Sequence, residues 1–409
     1  MKVWIKYLIG VILGIVAAFV LPIGNESVVN FFAFLTELFI RFGRYLVVPL
    51  VFTSVIISVN KLRTARSLGK TTLWTFSIIV ISSLILTLVG LLSILIVKLP
   101  RIPITVDVAA EVQTIDIKGM ILSLFPNSAF EALNEGAFLL VSFVFAFFIG
   151  WESASEEIAF KPITALADSA SRLFYNITNF FSEIIAIFCI AVVCYWIINF
   201  KTIADPGIFK PMILMFIVDF VIVAGLIYPL IVRLVCHDPH PYRVLYASIA
   251  PMIVSFFSGD SNLVLPLMYR HGKESLGIRR RSRGFTYPLF SIFARGGSAL
   301  VTCISFILIW RSYSSLSMPI SDILWIFGLT FGLSFLLGGI PSGGAFILLT
   351  ILCTKYAKGF ETSFLLLQPA SLIICSFASL FDTVTAMFGS YIVAVKTKLV
   401  EHHPVKHFI

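Results

Sequence analysis

Apolar residues run in long stretches separated by short polar or basic ones, at about 7–22, 31–60, 72–98, 119–150, 176–199, 208–235, 244–269, 285–310, 323–353 and 364–395. They lack the alternation of strands and are too long for them, so they read as helices, most reaching the roughly 20 residues a helix needs to cross a hydrocarbon core. Two carry internal breaks. One is Ser258-Gly-Asp-Ser-Asn262; the other is Gly338-Gly-Ile-Pro-Ser-Gly-Gly344, whose glycines and proline stop a helix. The first run follows Lys2 and Lys6 as in a signal peptide, but Leu-Pro-Ile-Gly follows it in place of a small-residue cleavage motif, so it reads as a first membrane helix.

Composition supports a polytopic membrane protein. Of the 409 residues, 59% are hydrophobic and 12% charged, and the mean hydropathy is +1.01. No room remains for a soluble domain, so function is expected within the bilayer. The net charge of +9 sits in short clusters between apolar runs, as orientation signals do, which argues against nucleic acid as a partner. None of the six cysteines forms a CxxC pair, so they read as packing residues without a metal site. The six histidines are expected in loops or the tail, and the pair His402-His403 is expected to be solvated. No HExxH, nucleophile elbow, P-loop or dinucleotide fingerprint stands in plausible context, so neither an enzyme nor a cofactor is expected.

Charge fixes a topology. The strongest basic loops are Lys61-Leu-Arg-Thr-Ala-Arg66 through Lys70 and Arg270 through Arg283, both inside by the positive-inside rule. Six crossings from a cytoplasmic amino terminus return the chain inside at about 233–243, yet the next apolar segment is followed by that second basic loop. A segment at 244–269 that enters and leaves by one face resolves the conflict, and a second re-entrant hairpin at 323–353 puts the tail inside too. The expected architecture is all-α, with eight transmembrane helices, two oppositely inserted hairpins and both termini in the cytoplasm. Paired broken segments point to a secondary transporter's midplane site, since irregular backbone at membrane depth must face protein or a cavity.

Within these segments Arg295 stands out, because a charge at mid-bilayer costs roughly 2.5–3.5 kcal/mol or more unless it is answered. The clearest buried acids are Asp260 and Asp382, and the three are expected to form one site.

The chain resembles the dicarboxylate/amino acid:cation symporter family, the glutamate transporter fold, along nearly its whole length. Local matches are Leu38-Phe-Ile-Arg through Leu46-Val-Val-Pro-Leu-Val-Phe52, Phe125-Pro-Asn-Ser-Ala-Phe-Glu-Ala-Leu133, Gly339-Ile-Pro-Ser-Gly-Gly-Ala345 and Tyr391-Ile-Val-Ala-Val395. The resemblance implies a homotrimer in the cytoplasmic membrane, in contact with lipid. It also implies a scaffold of helices 1, 2, 4 and 5 (1–70 and 117–205), and an elevator-like transport domain of helices 3, 6, 7, 8 and both hairpins (71–100 and 206–400).

It further implies site roles. The family's Asn-Met-Asp-Gly-Thr in helix 7 is Ala294-Arg295-Gly296-Gly297-Ser298 here, which removes two oxygen ligands suited to sodium and adds a guanidinium. In helix 8 the family's Asp-x-x-Arg-Thr-x-x-Asn-x-x-x-Asp becomes Asp382, Thr385, Ala386, Gly389 and Val393. Asp382 would hold an ammonium group, while Thr385 in place of arginine leans towards a neutral amino acid. Ser82 and Ser83 stand where the family supplies hydroxyls to a cation, and Ser298 joins the charge-handling set. The first hairpin tip, with Ser261 and Asn262, and Gly343 of the second complete the expected substrate contacts.

Arg295, neutralised by Asp260 or Asp382, would then stand in for sodium. The expected function is secondary transport of small amino acids or dicarboxylates with lost or altered sodium coupling. The alternatives are a sodium- or proton-coupled glutamate/aspartate symporter, with Asp260 carrying the proton, or an anion channel or sensor on the same fold. Asp260 has a plainer reading as a helix cap, and Arg295 as a structural bond to hairpin carbonyls.

Overall fold

The computed structural model describes residues 2–21, 26–103, 117–124, 138–201, 206–314, 318–340, 343–401, 403 and 408. The family-like segment at 125–133, Pro341 and Ser342 of the second break, and His402 and His407 lie outside the described residues. Among those described, the chain is helical, and its single β pairing is an antiparallel bridge between Ile278 and Val400.

Helices α1 (Val3–Val20) and α2 (Glu26–Thr64) pack along α6 (Lys161–Lys201), and α5 (Phe138–Ser153) lies on α2. A second group forms around α3 (Leu68–Ile96), α12 (Arg280–Phe293), α13 (Gly296–Tyr313) and α16 (Ser371–Lys396), and α12 also packs on α2. Short α4 (Ile117–Leu124) precedes α5. Helix α7 (Pro206–Ile222) runs through a π turn, Val223–Ile227, into α8 (Tyr228–Cys236). Hydroxyls inside apolar helices are satisfied locally: Thr71, Thr75 and Thr87 each donate to the carbonyl four residues back.

Both expected breaks are turns between helices. In the first, α9 (Tyr242–Ala247) and α10 (Ile249–Ser258) end at Gly259, whose φ of 64° is left-handed, and α11 (Leu265–Glu274) follows. In the second, α14 (Ile320–Ser334) tightens into a 3-10 turn at Phe335–Gly339, and α15 (Gly344–Tyr356) starts after Gly343 at φ 77°. A 3-10 turn, Ser363–Ala370, leads into α16.

Among the described residues, eight helices are long and apolar enough to cross a membrane. Ile320–Gly339, one arm of the second pair, is among them, and the expected span at 119–150 lies partly outside the described residues. A correction concerns the basic loop at 270–283. Helix α11 continues to Glu274, so Arg270 and His271 are helical, and His271 is buried. The helix carries Arg270 because α6 answers it: Arg270 pairs with Glu183 at 2.8 Å and donates to the Ser182 hydroxyl.

Candidate functional site

The break between α12 and α13 creates the site. Ala294 (ψ 65°) and Arg295 (φ −97°, ψ 28°) leave helical geometry, so the first N–H groups of α13 have no partner within their own helix. Asp382, midway along α16, accepts from two residues there: its Oδ1 takes the Gly297 N–H at 2.7 Å and its Oδ2 the Ser298 hydroxyl at 3.1 Å. An anion at a helix amino terminus is favoured by the unpaired N–H groups and by the helix dipole.

Arg295 stands between that acid and the first helical pair. Its Nη1 lies 3.7 Å from Asp382 Oδ2 and donates to the Ser261 hydroxyl, and its Nη2 donates to Asn262 Oδ1 at 3.3 Å. Asn262 Oδ1 also accepts from the Ser291 hydroxyl at 2.6 Å. Arg295 and Asp382 are each 4% exposed, and Arg295 Nε has no hydrogen-bond partner. The guanidinium thus ties the first turn to α16 with one donor left over, and the expected meeting of Arg295, Asp382, Ser261 and Asn262 is present in the geometry.

Asp260 departs from expectation. It was placed beside Arg295, but its Oδ2 is bound by Arg44 of α2, at 3.0 Å from Nη2 and 3.2 Å from Nε. Its Oδ1 accepts the backbone N–H groups of Asn262 at 2.8 Å and Leu263 at 3.4 Å. The turn is too tight for Asp260, Ser261 and Asn262 all to face Arg295, and the N–H groups that Asp260 caps rotate its carboxylate towards α2. Its geometry is that of a cap and an ion pair. Arg44 went unassigned in the sequence, although a charge inside the apolar stretch 31–60 was the signal for it.

The turns enclose a small cavity of about 10 Å³, room for roughly one water. Gly259 contributes from the first turn, Arg295 and Ser298 from the α12–α13 break, and Leu337, Ile340, Gly343 and Gly344 from the second turn. Cys375, Ala378 and Ser379 of α16, which the motif comparison passed over, close the wall. They lie about one turn and two turns before Asp382, so helical spacing was the available signal.

Thr385 is also placed differently. Its hydroxyl meets Tyr228 of α8 at 2.5 Å and donates to the Phe381 carbonyl at 2.7 Å. It lines a separate cavity of about 120 Å³ with Ser82, Tyr228 and Gly389. Three residues from Asp382, it shares that side of α16, but its hydroxyl is engaged by Tyr228 and the Phe381 carbonyl. The two candidate cation hydroxyls part as well: Ser82 donates to the Ile79 carbonyl at 3.0 Å, while Ser83 Oγ is buried without a partner beside Gly296.

Two glycines mark where packing has closed in. A Cβ on Gly296 would lie 2.7 Å from Ser83 Cα, and one on Gly389 2.2 Å from Phe290 Cε1. Any side chain at either position must displace its neighbour. They are two of the four positions, with Ala294 and Val393, at which the family's oxygen ligands are lost; the space is filled by the α3 backbone and a phenyl ring.

Comparison with known proteins agrees with this architecture. The model of the sodium:dicarboxylate symporter family matches residues 3–397. The chain is 23% identical over 361 residues to a proton/sodium-glutamate symport protein of Geobacillus stearothermophilus, covering 85% of this chain and 83% of that one. It is similarly related to the protein of that name from Bacillus caldotenax, at 23% over 360 residues. A shorter match, 29% over 113 residues, reaches the neutral amino acid transporter B(0) of Homo sapiens, covering 28% of this chain and 21% of that one. With a family match along nearly all its length and helices suited to a bilayer, the chain belongs to the sodium:dicarboxylate symporter family of multi-pass membrane transporters.

Proposed function

We propose that the protein carries a small carboxylate-bearing solute, an amino acid or a dicarboxylate, without drawing on a sodium gradient. The observation that carries this reading is the Arg295 guanidinium, buried at the α12–α13 break 3.7 Å from Asp382. A permanent cation there supplies the charge that a bound sodium would supply, and repels a second cation at close range. The packing of Ser83 on Gly296 and of Phe290 on Gly389 supports the same reading, because it leaves no space for added ligands.

The spare Arg295 donor suits a carboxylate, and Asp382 suits an ammonium group, so the pair matches a zwitterion. Because Thr385 is engaged with Tyr228, a second, side-chain carboxylate has no arginine waiting for it on α16. Glutamate transport by the Geobacillus relative and neutral amino acid transport by the human one bracket the candidates. The cavity admits about one water, so substrate entry requires one of the turns to move, and the second, which carries Gly343, is the candidate gate. From the family resemblance we carry over re-entrant hairpins, an elevator motion, a trimer and cytoplasmic termini. Counterflow of labelled amino acids and dicarboxylates in proteoliposomes tests the reading. Saturable, stereoselective exchange is expected; a substrate-independent salt conductance would favour a channel.

A further inference from the structure

A second cavity, of about 860 Å³, lies between α6 and the segment from α11 to α12, with α2 and the chain end at its edge. Its lining includes five basic side chains, Arg172, Lys273, Arg279, Arg280 and Arg283, against two acidic ones, Glu274 and Glu401.

Pairing accounts for three of the five. Arg172 and Arg280 both bind Asp168, at 2.9 and 2.8 Å, and Arg279 binds Glu401 at 2.9 Å. Glu274 is taken by Arg270 at 3.5 Å and by the Tyr175 hydroxyl at 2.9 Å. Neither Lys273 nor Arg283 has a carboxylate within 4.0 Å among the described residues. Both instead lie over the ring of Tyr175, Lys273 Nζ at 4.4 Å and the Arg283 guanidinium carbon at 4.9 Å from its centroid.

Two cations on one ring repel each other, and a ring answers charge without accepting the in-plane N–H donors of a guanidinium. Arg283 is 5% exposed, and its Nε and Nη1 have no hydrogen-bond partner. A buried donor left in this state is costly unless a ligand completes it. The missing partner must be negative and present several acceptors in different directions, because the unanswered donors belong to two separate side chains of the lining, Arg283 and Lys273. A tetrahedral oxyanion meets that demand, whereas a chloride offers one centre and a lone carboxylate one plane.

We propose that this cavity binds a phosphate group, held by Arg283 and Lys273 over Tyr175. The group belongs either to a soluble phosphate or to an anionic phospholipid headgroup. Seated there, it ties α6 to α11 and α12.

The test uses the full chain, delipidated in neutral detergent or placed in phosphatidylcholine nanodiscs. Thermal unfolding is followed against inorganic pyrophosphate at fixed ionic strength, and separately against added phosphatidylglycerol. A rise of about 3 °C or more is expected with one or both ligands. A response to pyrophosphate assigns the soluble source, and one to phosphatidylglycerol the lipid source. Lys273→Gln, at an exposed position, is expected to raise the half-saturating concentration about tenfold, and Arg283→Gln to abolish the response. Should Arg283→Gln fail to fold, Lys273→Gln decides alone. An equal rise with matched chloride, no rise with either ligand, or an unchanged half-saturating concentration in Lys273→Gln overturns the proposal.

Discussion

Asp260 and Arg44, 216 residues apart in sequence, form a two-point ion pair that joins the first helical turn to α2. The carboxylate is buried and the guanidinium about one third exposed, so the two ends of the pair are not equivalent. Removing the arginine strands a buried charge, which its capping N–H groups only partly answer.

Arg44→Gln is therefore expected to lower stability by roughly 1–3 kcal/mol, with screening by solvent keeping it below the fully buried case. Asp260→Asn retains one oxygen for the Asn262 and Leu263 N–H groups and should cost less than Asp260→Ala. Thermal unfolding of the three variants in one detergent checks the order. An Asp260→Ala variant as stable as Asp260→Asn would remove the capping role.

At Gly296 the expected effect is steric. Gly296→Ala drives a methyl group towards Ser83 Cα and should cost about 1–3 kcal/mol. Gly328→Ala is the control, because nothing lies within 4 Å of a Cβ there; it should be neutral or stabilise by about 0.5–1 kcal/mol. Melting temperatures that moved alike in both variants would contradict the close packing of α3 on the α12–α13 break.

Cys375 supplies a probe of access. It lines the cavity with Arg295 and Ser298, and that cavity is too small for a thiol reagent unless a turn opens. In a variant retaining only this cysteine, alkylation should be slow, should block uptake and should be retarded by substrate. Fast labelling indifferent to substrate would detach the cavity from transport.

Much of this architecture was legible in the chain. Unbroken apolar runs announced membrane helices, and glycine with polar residues at 258–262 and 338–344 announced the turns. Arg295 and Asp382 were found together because an intramembrane charge demands a partner and candidates were few. Asp260 was misplaced by the same reasoning: counting charges does not say which face of the turn each one takes. Its partner Arg44 lies in the apolar stretch 31–60, to which no site role was assigned. The contact of Thr385 with Tyr228 was not legible, because motif alignment places a residue along a helix while that contact depends on the rotation of α16 against α8. The extension of α11 through Arg270 was hidden because its partners Ser182 and Glu183 are supplied by tertiary packing.

Replacing Arg295 should unbalance Asp382. Arg295→Met leaves a buried carboxylate held by the Gly297 N–H and the Ser298 hydroxyl, and is expected to lower stability by roughly 3–5 kcal/mol or to abolish uptake. Combining it with Asp382→Asn should recover part of the stability, as a double-mutant cycle in detergent would reveal. Additive losses would deny that the two residues are coupled.

The central claim is that a fixed guanidinium takes the place of a transported cation. Its most direct test is initial-rate substrate uptake into proteoliposomes, with external sodium replaced by choline at constant ionic strength and pH. Equal rates in the two media are predicted; a steep rise of uptake with sodium concentration would contradict the account.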